Sequence, residues 1–361
     1  MPVASAPKAL HDLGQSIWLD NITRDLLTSG TLQRYISEWS VTGLTSNPTI
    51  FNLAITKSTS YDPQIKALAA SSLSDEELFF QLALSDLTTA ADLFKPIHER
   101  TNGVDGFVSL EVSPLLAHDT PATIAAAKKL SSAAAKPNLF IKIPGTPEGL
   151  PAIEEAIFAG IPINVTLLFS TKQYLAAAEA YLRGVERRIA AGLNPYVASV
   201  ASVFVSRWDG AVAGKVPDTL KNRLGIAIME EVYLASRALF ASPRWERIDN
   251  AGARRQRVLW ASTGTKDPNI SDQLYISALA SPFTVNTMPE GTLKGLADHG
   301  LISAPLATDG GSSKDILKQF AAAGIDTEAL AAKLQDDGAK SFVTSWNDLI
   351  SVLAAKRKSL A

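Results

Sequence analysis

The chain has 361 residues, 46% of them hydrophobic, and 34 Lys and Arg stand against 36 Asp and Glu for a formal charge of −2. That balance gives no field to gather a phosphate backbone, which argues against nucleic-acid binding, and the absence of cysteine excludes a disulfide framework, a thiolate nucleophile and a zinc knuckle. The opening MPVASAPKALHDL lacks the basic start and apolar run of a leader, and no stretch approaches the roughly 18 apolar residues of a membrane helix, so a cytoplasmic protein without membrane contact is expected.

Short apolar, β-branched runs recur along the chain, each followed by a helical pattern or a long connection. They are 16–20 (SIWLD), 41–46 (VTGLTS), 106–112 (GFVSLEV), 138–143 (NLFIKI), 161–168 (IPINVTLL), 197–205 (VASVASVFV), 257–262 (RVLWAS) and 283–287 (FTVNT). Runs apolar almost throughout suit parallel strands, which are covered on both faces. Between them, Leu32, Tyr35, Ile36 and Trp39 follow the i, i+3, i+4, i+7 spacing of one helix face. Ser74 with Glu77 predicts a capping box, Thr120 before Pro121 predicts a cap and first turn, and the amphipathic stretch 171–191 stops at Gly192. The connections 51–105 and 206–256 are too long for one helix each and predict extra ones. Past the last strand, 312–335 and 340–356 read as two further helices.

Eight such runs alternating with helices predict an α/β fold, a (β/α)8 TIM-type barrel. Residues 1–361 are expected to form a single barrel domain, with the extra C-terminal helices at about 312–357. The alternative, a doubly wound open sheet, lacks its signals. No strand run is followed by GxGxxG, and GAVAGKV at 210–216 has neither the spacing nor the hydroxyl of a phosphate-binding loop.

In a parallel barrel the chemistry comes from the C-terminal ends of the strands. There stand Asp20, Asn47, Glu111, Lys142, Asn164 with Thr166, Ser202 with Arg207, Ser262 with Lys266, and Asn286. Lys142 is the sharpest of these, because in LFIKIP an ammonium lies inside an apolar strand where leaving water disfavours charge. A neutral amine attacks carbonyls, and imine chemistry needs a base for a hydroxyl proton and an acid to expel water, for which Asp20 and Glu111 are candidates. The alternatives are a lysine snorkelling from a strand end, Asp20 as a helix cap and Glu111 as a salt-bridge partner. Arg207 and Lys266 lie beyond strands six and seven, where barrels commonly bind phosphate, and Ser202 and the amides of 263–266 would assist; either cation could instead be solvated. The cluster Arg254, Arg255, Arg257 reads as a solvated loop. His11, His98, His118 and His299 lack ligand spacing, so no metal is expected.

At these residues the sequence resembles transaldolase. SIWLDNI, VTGLTSNPTIF, GFVSLEVSPLLAHDT, NLFIKIPGTPEGLPAI, INVTLLFS, SVFVSRWD and LWASTGTKDP carry the resemblance in order from Ser16 to the C-terminal helix. Length and the STGTK segment resemble the longer bacterial subgroup, also found fused to glucose-6-phosphate isomerase, although the residues after Asp326 read as the helical ending of a free-standing enzyme. The resemblance implies a metal-free, cofactor-free Schiff-base enzyme of the pentose phosphate pathway. It would move a dihydroxyacetone unit from sedoheptulose 7-phosphate to glyceraldehyde 3-phosphate, giving erythrose 4-phosphate and fructose 6-phosphate. It implies Lys142 as the Schiff-base lysine, Asp20 as general acid/base, and Glu111 and Thr166 as holders of a catalytic water. Asn47 and Asn164 would bind the dihydroxyacetone unit, Ser202 and Arg207 its phosphate, and Phe204 would line the pocket. The seventh strand departs from the short transaldolases, offering Ser262 and Lys266 where those place an arginine on the phosphate. A monomer or homodimer acting on small sugar phosphates is expected; the rivals are a related Schiff-base aldolase and a non-catalytic sugar-phosphate-binding protein.

Overall fold

The computed structural model describes residues 5–265, 267–302 and 304–361. Eight strands close into one barrel in chain order: β1 (Ser16–Asp20), β2 (Val41–Thr45), β3 (Val108–Glu111), β4 (Leu139–Pro144), β5 (Ile163–Leu168), β6 (Ser199–Phe204), β7 (Arg257–Ala261) and β8 (Val285–Met288), every neighbouring pair parallel. Each lies within its expected run except that β4 and β8 extend one residue further. The apolar runs are continuous because the strands are covered on both faces: β4 and β5 are buried at every position. Among the described residues no helix is long and apolar enough to cross a membrane.

The expected capping box at Ser74 and Glu77 starts the helix Asp75–Arg100, and Gly192 takes a left-handed φ of 68° behind the helix Thr171–Ala190. The long connections hold helices Pro48–Lys57, Asp62–Leu68 and Asp75–Arg100 on one side, and Ser206–Val212, Leu224–Leu239 and Pro243–Asn250 on the other.

Three expectations are corrected. The cap before Pro121 is Asp119, whose carboxylate accepts from Ala122 N; Thr120 is already helical and donates to Glu148 O at 2.6 Å. The C-terminal helices divide at 323–326, giving Ser313–Ala322 and a continuous Thr327–Leu360 started by the Asp326 side chain. Gly338 does not break that helix but faces β5, where an added Cβ would come within 3.0 Å of Leu167 Cδ2. Arg257 belongs to no solvated loop. It opens β7 and donates to Ser16 Oγ and Thr284 O at 2.7 Å and to Val104 O at 3.2 Å, and burial lowers its pKa.

That arginine is part of a floor at the N-terminal end of the barrel. Asp105 accepts from Ser16 Oγ, from Trp18 Nε1 at 2.9 Å and from Gly106 N at 2.9 Å. Trp18 packs beside the stacked pair Phe107 and Phe140, whose ring centroids lie 4.2 Å apart. The indole fits because residue 43 is glycine: a Cβ there would stand 2.6 Å from Trp18 Nε1 and from Phe107 O. These residues plug the barrel interior at this end, and the reacting side chains stand at the other, around the strand C-termini.

Candidate active site

A cavity of about 570 Å³ opens at that C-terminal end, lined by side chains from β1, β2, β4 to β8 and the terminal helix. Parallel register brings its reacting groups level. Glu111 on β3 pairs with Lys142 on β4, which pairs with Asn164 on β5, while Asp20 on β1 pairs with Thr45 on β2. Lys142 is 5% exposed, and its Nζ lies 3.7 Å from Glu111 Oε1 and donates to Ser46 O at 3.2 Å. The Phe342 ring from the helix Thr327–Leu360 covers it, with the centroid 5.9 Å from Nζ.

Both carboxylates are pushed up by burial, with the Lys142 ammonium opposing that shift in each; the proximity of Asp20 raises Glu111 further. Asp20 accepts from Thr45 Oγ1 at 2.8 Å, and Thr45 lies 2.7 Å from Thr287 Oγ1. A hydroxyl has one proton, so if Thr45 gives its own to Asp20, Thr287 must supply the next one, and the chain runs toward the carboxylate. Asp20 is no helix cap: the helix Arg24–Thr28 is capped by Thr23.

Glu111 Oε2 and Thr166 Oγ1 are both buried without a hydrogen-bond partner among the described residues. Unsatisfied buried polar atoms cost about 1–3 kcal/mol each, so two on the strands that flank β4, the strand of Lys142, are groups kept for a further partner.

Asn164 pairs in register with Lys142 and sits low in the wall. It is fully buried, donates to Ser109 Oγ at 3.1 Å and accepts from Ser202 Oγ at 2.7 Å, and it does not line the cavity. Ser202 does line it, with its proton already given to Asn164. Asn47 lines the cavity while its Oδ1 caps the helix Pro48–Lys57, and its amide NH2 has no acceptor among the described residues. Phe204 and Ser262 line it too, and Ser262 Oγ lies 2.9 Å from Ser206 Oγ. Arg207 reaches the rim, exposed, with no carboxylate partner among the described residues. Lys266 lies outside the described residues; Gly264 and Thr265 beside it line the cavity.

Sequence reading missed Thr45, Thr287, Asp272 and Phe342. The first two close β2 and β8, and the rule that selected the other strand ends could have selected them; Asn286, chosen on β8, instead accepts from Thr263 Oγ1 in the wall at 3.0 Å. Asp272 is held low by its hydrogen bond to His299, a pairing from residues 27 apart that nothing local announces. Phe342 had no signal beyond its helix.

A closed parallel barrel with a buried lysine set between carboxylates at the strand C-termini defines a (β/α)8 enzyme equipped to handle carbonyl compounds through an amine. A family model described as Transaldolase/Fructose-6-phosphate aldolase matches residues 17–353, and the chain belongs to this family. It is 42% identical over 354 residues to Transaldolase 1 of Streptomyces avermitilis, covering 96% of this chain and 94% of that one. It is 41% identical over 354 residues to the transaldolase of Neisseria gonorrhoeae (98% and 100% covered), and 43% identical over 350 residues to that of Renibacterium salmoninarum (94% and 94%).

Proposed function

We propose that this protein is a transaldolase that carries a dihydroxyacetone unit from sedoheptulose 7-phosphate to glyceraldehyde 3-phosphate on Lys142. The observation that carries the reading is the buried Lys142 amine, 3.7 Å from Glu111 and beside Asp20, in a chain of this family. The neutral amine attacks C2 of the ketose. A water held between Glu111 Oε2 and Thr166 Oγ1 satisfies both atoms and relays the proton with which the C2 oxygen leaves as water. The resulting iminium draws electrons, Asp20 takes the C4 hydroxyl proton, the C3–C4 bond breaks, and erythrose 4-phosphate departs from a bound enamine. The enamine then attacks the acceptor aldehyde, Asp20 returns its proton to the new alkoxide, and water releases fructose 6-phosphate.

Asn47 binds the dihydroxyacetone hydroxyls. Arg207 holds the phosphate with the amides near Thr265, and Ser202 and Ser262 join by turning their hydroxyls outward. Asn164 acts from beneath, holding the Ser202 hydroxyl until the phosphate arrives. Lys266 is the second phosphate cation in this reading. The enzyme is one barrel domain, works in the cytoplasm on small sugar phosphates, and is a monomer or homodimer.

The test is borohydride reduction with fructose 6-phosphate, followed by peptide mass spectrometry. A dihydroxyacetone adduct on Lys142, absent together with turnover in Lys142→Ala, is expected; full turnover in that variant would discard the mechanism. The family name also covers an aldolase, and the acceptor separates the two. Product formation that requires glyceraldehyde 3-phosphate marks the transferase, whereas free dihydroxyacetone released without any acceptor marks the lyase.

A further inference from the structure

Among the described residues a second cavity is larger than the catalytic one. A space of about 910 Å³ lies at the opposite end of the barrel, around the strand N-termini Ser16, Ser199 and Arg257. Its size falls in the range of small-molecule pockets, roughly 300–1,000 Å³. Its wall holds four arginines, Arg237, Arg254, Arg255 and Arg257, against two carboxylates, Asp105 and Asp249. Asp105 is committed to Ser16, Trp18 and Gly106 N, and Arg257 to the floor, so three guanidinium groups face this space with little to neutralise them.

Those three are set in a common way. Arg254 lies over the Tyr196 ring at 4.9 Å, Arg237 over Tyr233 at 5.7 Å and Arg255 over Phe240 at 6.0 Å. Among the described residues none of them pairs with a carboxylate, whereas Arg183, Arg187, Arg244 and Arg357 each do. A guanidinium resting on an aromatic face keeps its charge and its in-plane N–H donors, gives up little rotamer freedom when an anion arrives, and offers its own outer face for stacking. Phe283 adds a flat apolar surface to the same wall; it is 73% exposed and held at a φ of 62°, with its N–H on Gly14 O. Three anion donors and an exposed ring around one recess suit a ligand that has both a phosphoryl group and a planar ring.

We infer that this floor cavity is a second binding site, for a nucleoside phosphate, with the phosphoryl oxygens on Arg237, Arg254 and Arg255 and the base stacked at Phe283. The site shares no lining residue with the catalytic cavity, so it stands whether or not the transaldolase reading does.

Calorimetric titration of the full chain with ADP and with inorganic pyrophosphate tests it. One ADP per chain is expected, with pyrophosphate at least tenfold weaker. Arg207→Ala, at the catalytic rim, leaves ADP binding unchanged; Arg237→Ala/Arg255→Ala weakens it at least tenfold while turnover and melting temperature stay as in the parent. Phe283→Ala weakens ADP and not pyrophosphate. ADP binding lost in Arg207→Ala but kept in the double variant would assign the ligand to the catalytic cavity and overturn the inference. So would equal affinity for the two probes, or no heat at millimolar ADP.

Discussion

In the proposed mechanism Asp20 has to be ionised to take the C4 proton, and burial raises its pKa, so the acid limb of kcat/KM is expected above the pH at which a solvated aspartate titrates. The Thr45 hydroxyl opposes that shift by donating to the charged form. Thr45→Val keeps the shape and removes the donor, so the limb moves to higher pH while the alkaline plateau of kcat changes little; a pH–rate profile of both enzymes checks this. Arg207 is an exposed cation at the rim, and its place there fits binding rather than chemistry. Arg207→Ala therefore raises KM for fructose 6-phosphate by tenfold or more and leaves KM for unphosphorylated dihydroxyacetone close to the parent value, as steady-state kinetics with both donors will show. At this scale much was legible in the sequence, because a charged residue inside a strand such as LFIKIP is conspicuous. The depth of Asn164 was not legible: a strand residue near the mouth can face the core of the barrel just below the cavity, and the run INVTLL does not tell one depth from the other.

The terminal helix Thr327–Leu360 is the element that closes the site. Gln335 donates from it to Gly145 O at 3.0 Å and to Leu167 O at 2.9 Å, the second freed by the irregular register of β5, where Leu167 has a φ of 58°. Gln335→Ala leaves two buried carbonyls without a donor and costs about 1–3 kcal/mol. In the proposed mechanism, loosening the helix that carries Phe342 would admit water to the enamine. The expected result is a higher ratio of free dihydroxyacetone to transferred product in a coupled assay, at little change in the amount of borohydride adduct. The sequence reading divided this region into 312–335 and 340–356, whereas the helix runs unbroken through Gly338. Here the residue is small because Leu167 is against it, and a packing reason leaves no mark in a single sequence.

Across the whole molecule, stability and chemistry are drawn from opposite ends of the barrel. Asp105 gathers Ser16, Trp18 and Gly106 at the floor, and removing it strands their donors and leaves the Arg257 charge without its nearest buried counterpart. Asp105→Ala is expected to cost about 3–5 kcal/mol in denaturant unfolding, with turnover per folded molecule unaltered. The alternation of eight apolar runs was enough to predict the closed barrel, because parallel strands need cover on both faces and announce it. The filling of the floor was not readable: Trp18, Gly43, Asp105 and Arg257 come from four places in the chain, and Arg257 in a run of basic residues looks like solvent-facing charge.

The terminal helix is also tied down at its far end. Lys356 donates to Ile55 O and Ser58 O, and Arg357 to Ala69 O, Ser71 O and Leu73 O. All of these acceptors, like those of Gln335, are main-chain oxygens made long before the helix itself in the order of synthesis. Phe342 and Ser341 stand between the two anchorages, so the wall they give the cavity is the last part of the site to be assembled. A ribosome-bound chain whose eight strands had closed before this helix docked would still hold its lysine open to water, so in the proposed mechanism transfer rather than cleavage waits for the helix to seat.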